Sequence, residues 1–472
     1  MESDGEKFKA KSEEDSQTMK LWMDVMRDLE HLMEDYDQIY DGWAEGGVDG
    51  LVIGPLVFNS PKLLPGTKSA PMDEPPAMTY DPDPRVYKRL GVQAPPAPEP
   101  MPEKRRLLEQ TLRAAKDRGF SVWIFQAQTG AGPGGNGHSL SDEKTRAATC
   151  ARMIDTLQHY PMADGAIMDG PEWGYEIAPH HMNHRSFIFH DLPQSAAPLC
   201  LALGYDYETL VAAKDRLFAH LHHLNPRRIR LHSSGGMLGA FQLLGSDPDL
   251  LAWCQFRVDS LMAYFSNVRE CLATEMDRPI KLGVGPRSAA FAPLCGYDFA
   301  QLAAFMDVLL PKHYFFHRGF DGMLGTVYRY VETLCEWNPG LSDKDALEVV
   351  QALFGLVLPG VASRSDFEGA LTPEFYEQVV TQETLRALAV VDHPDRIVPW
   401  LDTGRAPHDG DPMSGRDLRL LLQAAQSAGL QRFLYHHHGN LTEGEWTVIS
   451  EICGTRWEPR QSNYRPPDMM VL

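Results

Sequence analysis

Short, continuous apolar runs separated by helical patterns are the feature that most constrains the fold of this chain. Strands of a parallel sheet are buried on both faces, so they read as continuous apolar segments rather than alternating ones. The alternation of such runs with amphipathic helices predicts an α/β fold in which helices cover a parallel sheet. The runs occupy residues 48–54, 120–126, 164–169, 280–285, 306–310, 396–401 and 432–435.

The length of 472 residues suits one (β/α)8 TIM barrel with long loop insertions. Seven runs supply seven strands, and the eighth is expected between residues 187 and 245, with Arg228–Leu231 as the candidate. A proline-rich stretch from 60 to 102 predicts a long loop.

An acidic amphipathic helix is predicted at the N-terminus, over residues 13–44, because apolar side chains recur there at helical spacing. The predicted division of the chain is therefore a helical extension over 1–47, the catalytic barrel over 48–455 and a tail over 456–472.

The charge balance argues against two classes of partner. A formal net charge of -20 disfavours nucleic acid and anionic membrane surfaces. Seven scattered cysteines without a CxxC motif indicate reduced thiols and a reducing compartment. The polar first residues do not resemble a signal peptide, and no apolar window reaches the length of a membrane span. We therefore predict a cytoplasmic protein, with removal of a signal peptide and homo-oligomerisation both left open.

The segment from Asp164 to Glu176 carries the clearest chemical signal. A buried apolar run ends in Asp169, and a Gly-Pro turn then presents Glu172. Asp402 follows another predicted strand and is the best candidate for a further carboxylate. Paired carboxylates at the mouth of a barrel are what acid/base cleavage of a glycosidic bond requires. The alternative is structural, since Asp often caps turns and helices.

Polar residues follow most of the other predicted strands as well. In a parallel barrel all the carboxyl ends of strands lie on one face, so these residues are expected to converge on a sugar-binding mouth. Side chains alternate along a strand, so either His436 and His438 or His437 alone would point into it. The predicted substrate-binding residues at or near strand ends are Asn59, Gln126, Arg287, Lys312, His313, His436 and His437.

Other candidate substrate contacts come from loops. Arg185 and His190 lie after the carboxylate strand, and Trp173 could stack on a sugar ring, as could Trp400. His138 follows a glycine-rich segment, residues 130–135, that formally matches GxGxxG. The fingerprint normally opens its helix directly, whereas the next helix here begins near residue 141. A loop over an active site is therefore the better interpretation, and no cofactor is predicted.

A metal site is the main alternative. His180 and His184 have the spacing of a helical zinc pair, but the sequence lacks the glutamate of HExxH. We therefore predict that no metal is used. A metal-assisted hydrolase built on this His-rich loop and a non-catalytic carbohydrate-binding barrel remain as alternatives.

Three motifs in order resemble the glycoside-hydrolase-like TIM-barrel proteins over about residues 48–453. They are Asp164-Gly-Ala-Ile-Met-Asp169, Leu282-Gly-Val-Gly-Pro-Arg287 after a long helix, and Asp307-Val-Leu-Leu-Pro-Lys-His-Tyr314. The resemblance implies a barrel glycosidase acting on a carbohydrate. Arg287 and Lys312 suggest an acidic sugar, such as sialic or uronic acid, because both can bind a carboxylate. The His-rich loop and the triple histidine depart from the family pattern.

Overall fold

The computed structural model describes residues 18–26, 28–58, 77–127, 140–178, 187–316, 322–403 and 413–467. Within them, eight parallel strands form one sheet in the order β6-β5-β4-β3-β2-β1-β8-β7. The strands are β1 Lys20–Val25, β2 Val48–Ile53, β3 Ser121–Ala127, β4 Gly165–Asp169, β5 Lys281–Gly285, β6 Val308–Leu309, β7 Trp400–Asp402 and β8 Arg432–His436.

The two ends of this order meet and close the sheet into a barrel. The amide of Val398 donates to the carbonyl of Leu309 over 2.9 Å, and the amide of Trp400 donates to the carbonyl of Pro311 over 2.9 Å. These bonds join the segments that contain β6 and β7. The α/β fold with eight parallel strands, predicted as a (β/α)8 barrel, is confirmed.

The position of the eighth strand was predicted wrongly. It is β1, which pairs with β2 and β8, so residues 20–25 belong to the barrel wall rather than to a helix. The proposed strand at 228–231 is instead part of a helix that begins at Pro226. Asn225 caps that helix by accepting a hydrogen bond from the amide of Arg228 over 3.0 Å, and proline suits the first helical turn.

The helices cover the outside of the barrel. The predicted N-terminal helix is present over Leu29–Glu45 only, and Asp247 caps the long helix that begins at Pro248 by accepting a hydrogen bond from the amide of Asp249. The helices are α1 Leu29–Glu45, α2 Pro84–Arg89, α3 Pro102–Asp117, α4 Glu143–His159, α5 Ala197–Ala202, α6 Tyr207–Leu221, α7 Pro226–His232, α8 Gly236–Leu243, α9 Pro248–Glu275, α10 Phe299–Phe305, α11 Met323–Trp337, α12 Asp343–Phe354, α13 Pro373–Phe375, α14 Thr381–Leu388, α15 Gly415–Ser427 and α16 Glu443–Cys453.

Two apolar cores hold the barrel together, one inside it and one between it and the helices. The interior core contains large side chains such as Trp22, Trp123 and Trp400. The rings of Trp22 and Trp123 lie 5.2 Å apart. The inside of the barrel is thus filled, and chemistry is confined to the carboxyl ends of its strands.

The end of the described chain packs against α1. The Trp43 indole N–H donates to the Tyr464 hydroxyl over 3.2 Å, and Tyr464 is fully buried. The seven cysteines are free thiols. Among the described residues, no helix has the length and apolar character needed to cross a membrane.

Candidate active site

Five polar side chains follow the interior apolar residues at the carboxyl ends of the strands. Along each strand the inward positions alternate, so a residue two positions after an interior residue also points inward. Ile167, Trp400 and Leu434 belong to the interior core, for example. The five side chains, here called the polar layer, are Asp24, Asp169, Lys312, Asp402 and His436.

Asp24 and His436 form the centre of the polar layer. The main chains of β1 and β8 are in register there, since Met23 pairs with Tyr435. His436 Nδ1 hydrogen-bonds to Asp24 Oδ2, and its Nε2 lies 3.8 Å from Asp402 Oδ2. A single imidazole therefore lies between two carboxylates, hydrogen-bonded to Asp24 and within ion-pair distance of Asp402.

The ring of Trp400 supports this cluster. Its indole N–H donates to Asp24 Oδ2 over 3.2 Å, and its ring meets that of His436 edge to face with centroids 5.4 Å apart. The Tyr314 ring stacks on the same imidazole with centroids 5.8 Å apart. These two aromatic contacts restrict the orientation of His436.

Asp169 forms an ion pair with Lys312, whose Nζ lies 2.8 Å from Asp169 Oδ1. The Asp169 side chain is 27% exposed, while that of Asp402 is 2% exposed. Gly285 lies beside the Asp169 carboxylate and has no side chain to crowd it. A Cβ at this position would lie 3.5 Å from Asp169 Oδ1 and 3.1 Å from the Trp400 ring. The Asp169 carboxylate thus lies near Trp400 and is the accessible acid of the polar layer.

Glu172 and Arg287 are paired with each other. The Arg287 Nε donates to both Glu172 oxygens, over 2.9 Å and 3.0 Å, and Nη2 donates to Oε1 as well. Both side chains are at most 2% exposed. Burial, with a smaller contribution from Glu172, raises the pKa of the adjacent Tyr297 well above its ordinary value. A carboxylate held by a guanidinium is poorly placed to act as a general acid, so this geometry favours a structural role for both residues.

Two more buried ion pairs anchor the segment that follows β4. Arg329 Nη2 donates to Glu176 Oε1, and Arg257 Nη2 lies 3.7 Å from Asp191 Oδ2. Burial lowers the pKa of the Arg257 guanidinium, and the charge of Asp191 opposes that shift. These contacts hold the described parts of this segment, residues 170–178 and 187–191, against α11 and α9.

Trp173 is a core residue, which contradicts its predicted stacking role. It is 1% exposed and packs against Phe256 with ring centroids 5.6 Å apart. Its indole N–H donates to Ser260 Oγ over 2.9 Å. The ring therefore faces α9 and has no face available to a sugar.

Three further predicted contacts lie outside the polar layer. Gln126 follows the inward-facing Phe125 and lines a small outer cavity with Tyr80. His313 is buried one position beyond the inward-facing Lys312, and burial lowers the pKa of its imidazole to about 3. His190 is exposed and packs edge-on against Phe187, at 4.6 Å.

The three consecutive histidines at the end of β8, His436 to His438, do not adopt either predicted arrangement. His437 Nδ1 lies 3.6 Å from Asp24 Oδ2, so His436 and His437 both approach Asp24. His438 instead hydrogen-bonds to Asp28 and to the Tyr464 hydroxyl, outside the barrel. Strand alternation fails here because β8 ends at His436 and a 3-10 turn begins at His438.

Several predicted residues lie outside the described residues. These are Asn59, His138 and Arg185, together with the His180 and His184 pair. Their predicted roles in binding substrate or metal stay predictions.

Asp24 is a site residue that the sequence pattern did not predict, because residues 20–25 fit the spacing of the predicted N-terminal helix. A usable signal was present: Trp22-Met23-Asp24 repeats the apolar-Met-Asp ending of Ile167-Met168-Asp169. In both strands the aspartate follows an interior core residue by two positions.

No family model and no curated protein matches the sequence. Among solved structures, the chain is similar to the PgaB (BpsB) glycoside hydrolase domain from Bordetella bronchiseptica, with 13% identity, a TM-score of 0.47 and coverage of 93% of this chain and 100% of that one. It is also similar to the class V chitinase from Nicotiana tobaccum, with 10% identity, a TM-score of 0.41 and coverage of 93% and 100%. The Bacillus megaterium spore cortex-lytic enzyme SleL matches with 8% identity, a TM-score of 0.40 and coverage of 93% and 75%.

Proposed function

We propose that this barrel is a glycoside hydrolase whose two working carboxylates are Asp169 and Asp402. The observation that carries the proposal is the polar layer, in which both acids project from strand ends beside a nitrogen group, the Lys312 ammonium for Asp169 and the His436 imidazole for Asp402. Two carboxylates at the mouth of a barrel, with distinct surroundings, can divide the acid and base roles of glycosidic cleavage.

The surroundings suggest which acid does what. Asp169 forms an ion pair with the Lys312 ammonium and is partly exposed, which suits a base or a nucleophile facing the anomeric carbon. Asp402 is buried beside an imidazole that can return a proton to it, which suits the group that protonates the leaving oxygen. The C–O bond then breaks with the proton on the leaving sugar, while water or Asp169 bonds to the anomeric carbon.

The charges around the site bear on the sugar. The predicted acidic substrate depended on Arg287 and Lys312, but Glu172 and Asp169 already pair with these cations. Binding an anionic sugar would require breaking one of these pairs. We therefore propose that the substrate is an uncharged sugar. The cytoplasmic location and the possible homo-oligomerisation stay predictions.

The test is hydrolysis of a panel of aryl glycosides by the wild type, Asp169→Asn and Asp402→Asn. Asp164→Asn is the matched control, because Asp164 lies at the opposite end of the same strand region and pairs with Lys116 over 2.7 Å. Loss of about 10²–10⁴-fold in the first two variants alone would support the assignment. Sugar binding without turnover by the wild type would instead favour the non-catalytic barrel.

A further inference from the structure

A second feature of the barrel mouth is the grouping of Asp24, His436 and His437. One carboxylate oxygen and one nitrogen from each imidazole all lie within 4.8 Å of one another. The three residues are at most 4% exposed. They come from β1 and from the end of β8, which are neighbouring strands of the closed sheet.

The donor set indicates the kind of ion that would fit. Two imidazoles and one carboxylate suit a first-row divalent cation such as Zn²⁺ better than Ca²⁺ or Mg²⁺, which prefer oxygen. Ligands at about 2.0–2.1 Å in a tetrahedral site lie about 3.4 Å from one another. The 3.6 Å between Asp24 Oδ2 and His437 Nδ1 is close to that spacing. A bound ion would replace the hydrogen bond between Asp24 and His436.

The groups around the three donors also match a metal site. Metal-bound histidines usually donate their other N–H to a carboxylate, and His436 Nε2 lies 3.8 Å from Asp402 Oδ2. The Trp400 N–H holds Asp24 Oδ2 from the interior side, over 3.2 Å. The Trp400 hydrogen bond would fix the orientation of Asp24, and a small shift would bring His436 Nε2 within hydrogen-bond distance of Asp402.

We propose that Asp24, His436 and His437 bind one divalent transition-metal ion in the barrel mouth. Three protein ligands leave a position for water or a substrate oxygen. Metal binding at these residues does not depend on the proposed glycosidase activity. It would mean that the protein binds a metal, whereas the sequence predicts that no metal is used. The site also differs from the metal alternative considered there, which used the loop containing His180 and His184.

The experiment uses Co²⁺ as the probe on protein stripped with a chelator. We expect one equivalent of Co²⁺ to bind to the wild type with a visible absorption spectrum, and X-ray absorption to count two imidazole ligands. His437→Ala should weaken Co²⁺ binding by more than about 100-fold, since even outer-shell partners change affinity by about 10–100-fold. His190→Ala is the control and should bind as the wild type does, because His190 is exposed, packs against Phe187 and is not one of the three grouped donors.

Failure to take up one equivalent of Co²⁺, or equal uptake by His437→Ala, would overturn the proposal. The ligand count on the wild type decides the question even where a variant does not fold. Because the readout is binding rather than turnover, its failure is distinguishable from failure of the glycosidase proposal.

Discussion

Replacing Glu172 by glutamine separates a structural role from a catalytic one. The substitution keeps the shape of the side chain but removes the charge opposite Arg287, whose Nε donates to both carboxylate oxygens over 2.9 Å and 3.0 Å. Both side chains are at most 2% exposed, so water cannot compensate for the lost charge.

The expected cost follows from that burial. Removing one partner of a buried ion pair costs about 3–5 kcal/mol, because a buried charge is left without its counter-ion. We expect a loss of about 3 kcal/mol for Glu172→Gln, at the lower end, since the amide oxygen still accepts a hydrogen bond. Removing both charges in Glu172→Gln with Arg287→Met should recover part of the loss.

The assay is urea denaturation followed by tryptophan fluorescence, with turnover measured per folded molecule. Glu30→Gln is the control, because Glu30 and Lys104 form an ion pair at 2.6 Å with side chains 45% and 37% exposed. An exposed pair contributes about 0–1 kcal/mol. Wild-type stability in Glu172→Gln together with a loss of turnover of about 10²-fold or more would refute the reasoning and restore Glu172 as an acid/base residue.

Three further predictions use other parts of the structure. Arg287→Ala should lower turnover equally on matched acidic and neutral glycosides, and a selective loss on the acidic one would show that Arg287 binds the substrate. Gly285→Ala should reduce turnover, because its Cβ would lie 3.1 Å from the Trp400 ring, and unchanged kinetics would contradict that crowding. Burial lowers the pKa of the His313 imidazole to about 3, from an ordinary value of 6.5, so the folded protein keeps this side chain neutral. The free energy of unfolding therefore contains the full stabilising contribution of neutral His313 above pH 6.5, and this contribution is lost as the pH falls toward 3. His313→Phe should therefore flatten the decline of the unfolding free energy between these pH values, which denaturation at several pH values measures.

The fold was largely predictable because the strands of a parallel barrel are buried on both faces and therefore have continuous apolar sequences. The exception is β1, whose apolar residues Leu21 and Trp22 face opposite cores. The six-residue strand β1 lies only three residues before α1, and the apolar residues of both elements fit helical spacing. The pattern therefore predicted one continuous helix over both. Local periodicity does not distinguish a short buried strand from a buried helical turn.

The candidate site was predictable only in part. Position at a strand end predicts that Lys312, Asp402 and His436 converge, since a barrel gathers those ends on one face, and His436 Nε2 does lie 3.8 Å from Asp402 Oδ2. It did not reveal which charges neutralise each other, so Glu172 and Arg287 were assigned separate roles although they form one pair. Pairing between residues 115 positions apart depends on tertiary packing that no local pattern records.

Replacement of Asp169 tests most directly whether the polar layer cleaves glycosides. The measurement compares aryl-glycoside turnover by the wild type, Asp169→Asn and the control Asp164→Asn at matched folded concentration. We predict hydrolysis by the wild type and by the Asp164 variant, and a loss of about 10²–10⁴-fold in Asp169→Asn. Equal turnover by the wild type and the Asp169 variant, or hydrolysis of no glycoside by the wild type, would contradict the claim.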